Sequence, residues 1–239
     1  MVRLAQLPLD GRSTVSLSLT AKLSSALSVG SGGSSGSLAD KPILKDALGR
    51  LLIPGSQLKG RLRHECEKLA RGLGWAICQS PDPNLMCPKR EGIPGHFQRE
   101  DYAVGGTHHC LICQIFGNPT LPSRIWVDDL ICQLPSEALE ETLRPGVTIN
   151  RRRRTAEDQR LYFIETSPAA ALEFTGSLHF LPDCPSWGKT LILAALHHTH
   201  ALGGSKSAGM GWLQWDPQSL MALQPTEQDW AELAKGGQA

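Results

Sequence analysis

Four cysteines in mid-chain, Cys78, Cys87, Cys110 and Cys113, are the residues whose type and spacing most directly imply chemistry. Cys110-Leu111-Ile112-Cys113 places two thiolates on one tight turn, and tetrahedral zinc takes two further Cys or His ligands from elsewhere. His96, His108 and Cys66 are the substitutes for Cys78 in that set. Four protein ligands leave no open position for water, so the expected ion is structural Zn²⁺, and a zinc-dependent hydrolase is disfavoured. A redox C-x-x-C is the competing reading of the knuckle, but two upstream cysteines in a proline-rich stretch favour metal. Seven cysteines are an odd number, and with no secretory leader read at the N-terminus a disulfide framework is not expected.

The second chemistry is attraction for a polyanion. A formal net charge of +1 conceals two segments, 50–71 and 144–160, each with six basic and two acidic residues. Polarised charge of this kind suits an anionic ligand, although a charge run is otherwise a solvated face. In the first segment Pro54-Gly55-Ser56 opens a helix carrying Lys59, Arg61 and Arg63. Its N-terminus adds unpaired N–H groups and a positive dipole end. In the second, Arg151, Arg152, Arg153 and Arg154 supply guanidinium groups that suit phosphates and base faces. A third stretch holds Gly203, Gly204, Lys206 and Gly209, where glycine lets backbone approach a phosphate and the lysine adds charge. Asp40 is a bare acid beside a Gly/Ser run over 30–37, so its truncation should remove no packing; Asp46, beside Lys45 near a turn, should be expendable. Asp128 and Asp129 are neighbours on an expected strand and would point to opposite faces, a poor metal pair.

The elements that must position these groups read as an α+β domain. Val15, Leu17, Leu19, Ala21 and Leu23 alternate with polar residues, the period of a half-buried strand. Leu58, Leu62, Cys66 and Leu69 put an apolar stripe on a helix over 56–71, stopped by Gly72 and Gly74. Residues 75–122 are irregular and proline-rich, a stretch too long for a loop unless metal organises it. A strand over 124–134, bulged at Asp128-Asp129, is followed by a basic hairpin, with strands beginning at 146 and returning over 161–164. Residues 172–180 alternate as a further strand, and a buried helix over 187–202 closes at Gly203-Gly204, with His197, His198 and His200 at its dipole-favoured end. A short strand over 212–215 and a tail helix from Pro217 complete the order β-α-β-β-α-β with decorations. At 239 residues one domain spanning 1–239 accommodates all of it. No apolar run approaches about 18 residues, so a soluble cytoplasmic protein without membrane contact is expected.

Three stretches resemble the type III CRISPR branch of the RAMP superfamily. The first is Asp40-Lys41-Pro42-Ile43-Leu44-Lys45-Asp46 leading into Ile53-Pro54-Gly55-Ser56-Gln57-Leu58-Lys59-Gly60. The second is the knuckle Cys110 to Cys113 running into Phe116-Gly117, and the third is the glycine-rich loop between the last long helix and last strand. The resemblance covers roughly 14–215 and implies a modified ferredoxin-like, RRM-like domain with a zinc-binding insertion at 73–123 and a thumb hairpin at 146–166. It further implies a backbone subunit that binds guide RNA (crRNA) through the helix start, the glycine-rich loop and the thumb, alongside other CRISPR effector subunits. Asp40 matches the family's catalytic acid for cutting the complementary target RNA, with a divalent cation (Mg²⁺ or Mn²⁺) held by the acid and a phosphate. A catalytically inactive, RNA-binding structural subunit is the alternative. Where the family often has Asp before the first thumb cation, this chain has Asn150.

Overall fold

The computed structural model describes residues 14–30, 39–82, 84–87, 103–104 and 107–235. Strand β1 (Val15–Leu23) shows the alternation expected of it: Leu17, Leu19, Ala21 and Leu23 are buried, and Ser16 and Ser18 are exposed. A two-residue strand β2 (Leu52–Ile53) precedes helix α1 (Gly55–Gly72), whose Leu58, Leu62, Cys66 and Ala70 form the buried stripe. The left-handed residue past its end is Gly74, with φ +77°, while Gly72 stays inside the last turn.

The stretch after α1 holds a small pair, β3 (Ala103–Val104) with β4 (Thr107–His108), and a buried helix α2 (Leu111–Phe116). Its apolar residues do not form a core of their own. Trp75, Leu111, Ile112, Ile115 and Phe116 belong to the same hydrophobic cluster as Leu58, Phe174 and Leu191, and Trp75 meets Trp187 edge to face at 6.2 Å.

The expected single strand over 124–134 is two strands, β5 (Ile125–Val127) and β6 (Leu130–Cys132). Both pair with β9 (Glu173–Phe180), which lies in the centre of a sheet ordered β10-β1-β9-β6-β2, with β10 (Leu213–Trp215) at one edge. Every pairing in that sheet is antiparallel. Between β6 and β9 the chain leaves the sheet as a separate hairpin, β7 (Thr142–Asn150) and β8 (Thr155–Thr166), longer at both ends than the sequence periodicity suggested.

Helix α3 (Ser186–His198) packs beside α1 and ends four residues earlier than a Gly203-Gly204 stop would require. The reason is tertiary: Ala201 bridges Trp212 and the Leu202 amide donates to the Gly211 carbonyl, so 199–202 is drawn into pairing with the chain that follows the glycine-rich loop. Helices α4 (Pro217–Met221) and α5 (Glu227–Lys235) follow, α5 against α3 and α4 against β1. Among the described residues no helix is long and apolar enough to cross a membrane.

Candidate functional site

The four cysteines singled out by spacing do converge. The thiol sulfurs of Cys78, Cys87, Cys110 and Cys113 lie within 4.8 Å of one another, and all four residues are buried. Cys78 and Cys113 are 3.6 Å apart at sulfur. A tetrahedral ion with metal–sulfur bonds of about 2.3 Å has sulfur–sulfur edges of about 3.8 Å, so the donor set fits such a metal in size and chemistry. Hydrogen bonds from Cys110, Cys113 and Cys87 hold the Cys78 thiol far below its ordinary value, and the bond to Cys113 drives Cys110 up. Four crowded thiols cannot ionise independently unless a cation joins them. The surroundings are already arranged around the sulfurs: the Cys110 amide donates to Cys87 Sγ at 3.2 Å, and the Arg63 guanidinium reaches Cys113 Sγ at 3.7 Å. Of the substitute ligands, Cys66 is buried elsewhere in α1 with its thiol on the Leu191 carbonyl, and burial pushes that thiol up. His96 and the His108 side chain lie outside the described residues.

Helix α1 is less cationic than its sequence. Glu65, 4% exposed, pairs with Arg61 and Lys68, and Glu67, 9% exposed, pairs with Arg63 and Arg71. Arg50 is taken by Asp46. Arg63 is committed further, donating to the Gly117 carbonyl at 2.9 Å, so it acts as a strut between α1 and the end of α2. Lys59 has no ion pair among the described residues; desolvation lowers its pKa, with repulsion from Arg63 adding to the effect. Ser56 is exposed on the first turn. That turn is not open backbone throughout, because Asp129 Oδ1 accepts the Gly55 amide at 2.7 Å. Gly55 is glycine for a steric reason, since a Cβ there would stand 2.1 Å from the Val127 carbonyl oxygen.

The hairpin contrasts with α1. Arg151, Arg152, Arg153 and Arg154 form its turn, all exposed, and none makes an ion pair among the described residues. Asn150 builds that turn: its Oδ1 accepts the amides of Arg152 and Arg153 at 3.0 Å each, and its Nδ2 donates to Glu157 at 2.6 Å. An Asp could cap the turn but not donate to Glu157, so Asn150 makes a bond here that an Asp would not. Cross-strand register puts Leu143, Val147 and Leu161 on one face, each between 42% and 60% exposed, and Ile149, past a shift in register, is 61% exposed. The opposite face carries Arg144 and Tyr162, whose ring lies over Gly146 so closely that a Cβ would come within 2.3 Å of it.

Asp40 is exposed, yet its carboxylate is engaged: Oδ2 accepts the Phe163 amide of β8 at 2.7 Å. The Asp40 and Lys41 amides donate back to the Phe163 carbonyl, and the Glu165 amide donates to the Lys41 carbonyl. Truncation at Asp40 therefore removes a fastening, contrary to the expectation of a free loop acid. Asp46 is likewise no silent neighbour. Desolvation opposes its charge, but the Arg50 amide and guanidinium and the Leu48 amide hold its carboxyl below the ordinary value and close the 46–50 turn.

The glycine-rich loop is pinned at its base. Gly203 is buried at φ +86°, where a Cβ would meet the Ser28 carbonyl oxygen at 2.7 Å, and Gly204 donates its amide to the same oxygen. Gly203 is thus accounted for by close packing on Ser28, not by an open phosphate cradle. Lys206 Nζ sits on the Gly203 carbonyl at 2.9 Å, and Gly209, at φ +82°, is open. Ser28 belongs to a segment that is the hub of the site. Gly211 donates to Ala26 and Ser167 to Leu27, while Leu44 donates to Val29. Residues 26–29 therefore join the glycine-rich loop, the end of the hairpin and the Asp40 segment, whereas the start of α1 docks on the β5–β6 junction.

Some residues with roles here were not legible as such. Asp129 caps α1 from 74 positions away, and the two adjacent aspartates do diverge, Asp128 turning to His179 Nε2 at 2.8 Å. His179 Nδ1 meets Ser16 Oγ at 2.8 Å, a chain across β1, β9 and the β5 end with Asp128 56% exposed at its side chain. The pairing of Glu65 and Glu67 with cations was visible in their i,i+4 spacing.

Comparison with known proteins places this geometry. The family model described as the RAMP superfamily matches residues 20–214. A protein of Methanocaldococcus jannaschii named CRISPR system Cms endoribonuclease Csm3 is 33% identical over 99 residues, which cover 39% of this chain and 32% of that one. The match thus spans about a third of that relative's length.

Proposed function

The chain belongs to the RAMP superfamily, and from that premise we propose that it is a backbone subunit of a type III CRISPR effector that binds guide RNA and cuts the complementary target at Asp40. The antiparallel order β10-β1-β9-β6, with α1 and α3 as the two crossover helices, supports reading the domain as a modified ferredoxin-like fold. The buried thiol cluster is read as a structural zinc site, and β7–β8 as the thumb. The observation that carries the proposal is that Asp40 is fastened to the base of a hairpin whose turn presents four exposed arginines with no ion pair among the described residues.

In this reading the turn arginines hold phosphates, and the exposed apolar face of the hairpin lies against bases or a neighbouring subunit. The nucleophile is the target's own 2′-hydroxyl, which attacks the adjacent phosphorus while the 5′-oxygen leaves. A divalent cation, when bound, would stabilise charge developing on the phosphate oxygens. Among the described residues no group of three or more potential ligands includes Asp40, so the protein would supply one carboxylate and the RNA the rest. Oδ2 accepts the Phe163 amide, which leaves Oδ1 for that task.

The second reading, an inactive subunit that measures the guide, is favoured by the same isolation of Asp40. Assembled complex incubated with complementary RNA, with and without chelator, separates the two. Cutting that chelator stops, and that Asp40→Asn abolishes while target binding stays within twofold, is the expected result. A wild-type complex that binds target and never cuts it would leave the structural subunit.

A further inference from the structure

We propose that Glu165 is a positioning residue for Asp40, locking the acid's segment to the hairpin so that seating the hairpin on RNA and placing the carboxylate are one event. The inference rests on the reading of Asp40 above and concerns a residue that reading does not use.

Residues 40–41 lie along the outer edge of β8, joined to it by one parallel bridge. Lys41 bridges Ile164, and the amide and carbonyl of Phe163 both face this segment and not β7. Alternate residues of a hairpin turn their backbone groups outward, and because Phe163 does so its partner across the hairpin can be Pro145, which has no N–H to offer. In the ladder that results, the Asp40 side chain takes the place of a strand carbonyl: it accepts the Phe163 amide. The next rung is the Glu165 amide on the Lys41 carbonyl.

Beyond it the segment turns away, Ile43 bridging Gly30 and the Leu44 amide donating to Val29. The ladder would fray there but for the Glu165 carboxylate, whose Oε2 accepts the Ile43 amide at 3.0 Å. A carboxylate on a backbone amide is a charge-assisted bond, stronger than a neutral one. Glu165 thus grips the segment twice, by backbone at Lys41 and by side chain at Ile43. Pro42, between them, has φ fixed and no amide to offer. Two grips flanking a stiff residue leave the Asp40 carboxylate one orientation relative to β8.

The test uses the guide-loaded complex with complementary RNA, comparing Glu165→Ala, Glu165→Gln and Asp40→Asn with wild type. Two readouts are taken: single-turnover cutting at saturating target, and amide hydrogen exchange over residues 39–45. Glu165→Ala is expected to speed exchange over 39–45 with β1 unchanged, and to slow cutting about tenfold. Target affinity should stay within twofold. Glu165→Gln keeps a side-chain acceptor and should recover most of both. Unchanged exchange in Glu165→Ala, or a Gln variant no better than Ala, overturns the positioning role while an inactive Asp40→Asn leaves the acid role standing. An Asp40→Asn complex that cuts like wild type refutes the acid role and this proposal with it.

Discussion

Changing Arg151, Arg152, Arg153 and Arg154 together to Ala should weaken guide RNA binding in a way that salt concentration exposes. The four side chains are exposed and without ion-pair partners among the described residues, so each is available to displace a counterion from RNA. For single-stranded nucleic acid each neutralised phosphate contributes roughly 0.7 to the slope of log affinity against log salt. Four such contacts give a slope change of about 2.8, which between 1 M and 0.15 M salt amounts to a loss on the order of a hundredfold. Lys59→Ala is the comparison within α1, a single cation whose removal should shift the slope by no more than about 0.7. The assay is equilibrium binding of fluorescent guide RNA at five or six salt concentrations, with thermal unfolding run in parallel. The hairpin turn lies outside the core, so the quadruple variant should melt within a degree or two of wild type. A slope change below one contact's worth, in a variant that melts normally, would refute the assignment of the hairpin to RNA.

Protein purified without chelator should hold close to one zinc per chain by elemental analysis, and Cys113→Ser should lose it. Because Cys113, Ile112 and Ile115 share the main core, the variant should also melt at least several degrees lower. Gly211→Ala forces a side chain into φ +70° with its Cβ 1.8 Å from the Leu202 carbonyl oxygen, so about 2–3 kcal/mol of stability and a melting point roughly 5–10 °C lower are expected. Asp129→Ala removes the acceptor of the Gly55 amide and should cost about 1 kcal/mol by denaturant titration, with Asn restoring most of it.

What the sequence made legible and what it hid divide along the range of the forces involved. Strands β1 and β9 and helix α1 follow from local apolar period, and the cysteine set from local spacing plus a chemical rule. The end of α3 was misplaced because the glycine rule is local, while the pairing of 199–202 with 211–212 is not. The break at 128–129 was hidden for the same reason: Asp129 leaves the strand to cap a helix that begins 74 residues earlier. Net charge misled most in α1, where counting residues ignores that one buried carboxylate can hold two cations.

That redistribution of charge changes how the molecule's parts depend on one another. If the α1 cations were free, the helix would be an RNA contact indifferent to the cysteine centre. Instead Arg63 spans from Glu67 to the Gly117 carbonyl and the Cys113 sulfur, so the four-cysteine cluster and α1 share a side chain. Were an ion held there, its loss would leave four buried thiols with no common partner, and Arg63 would face a neutral sulfur in place of a thiolate. Strain introduced there passes to α1, which docks through Gly55 on the β5–β6 junction and so on the central sheet. The hairpin and the Asp40 segment are joined instead to residues 26–29, beyond the end of β1, and among the described residues the segment meets the start of β2 only where Lys45 bridges Leu51. Metal removal should therefore disturb stability before it disturbs the hairpin, whereas changes at the turn arginines should act on RNA without lowering stability.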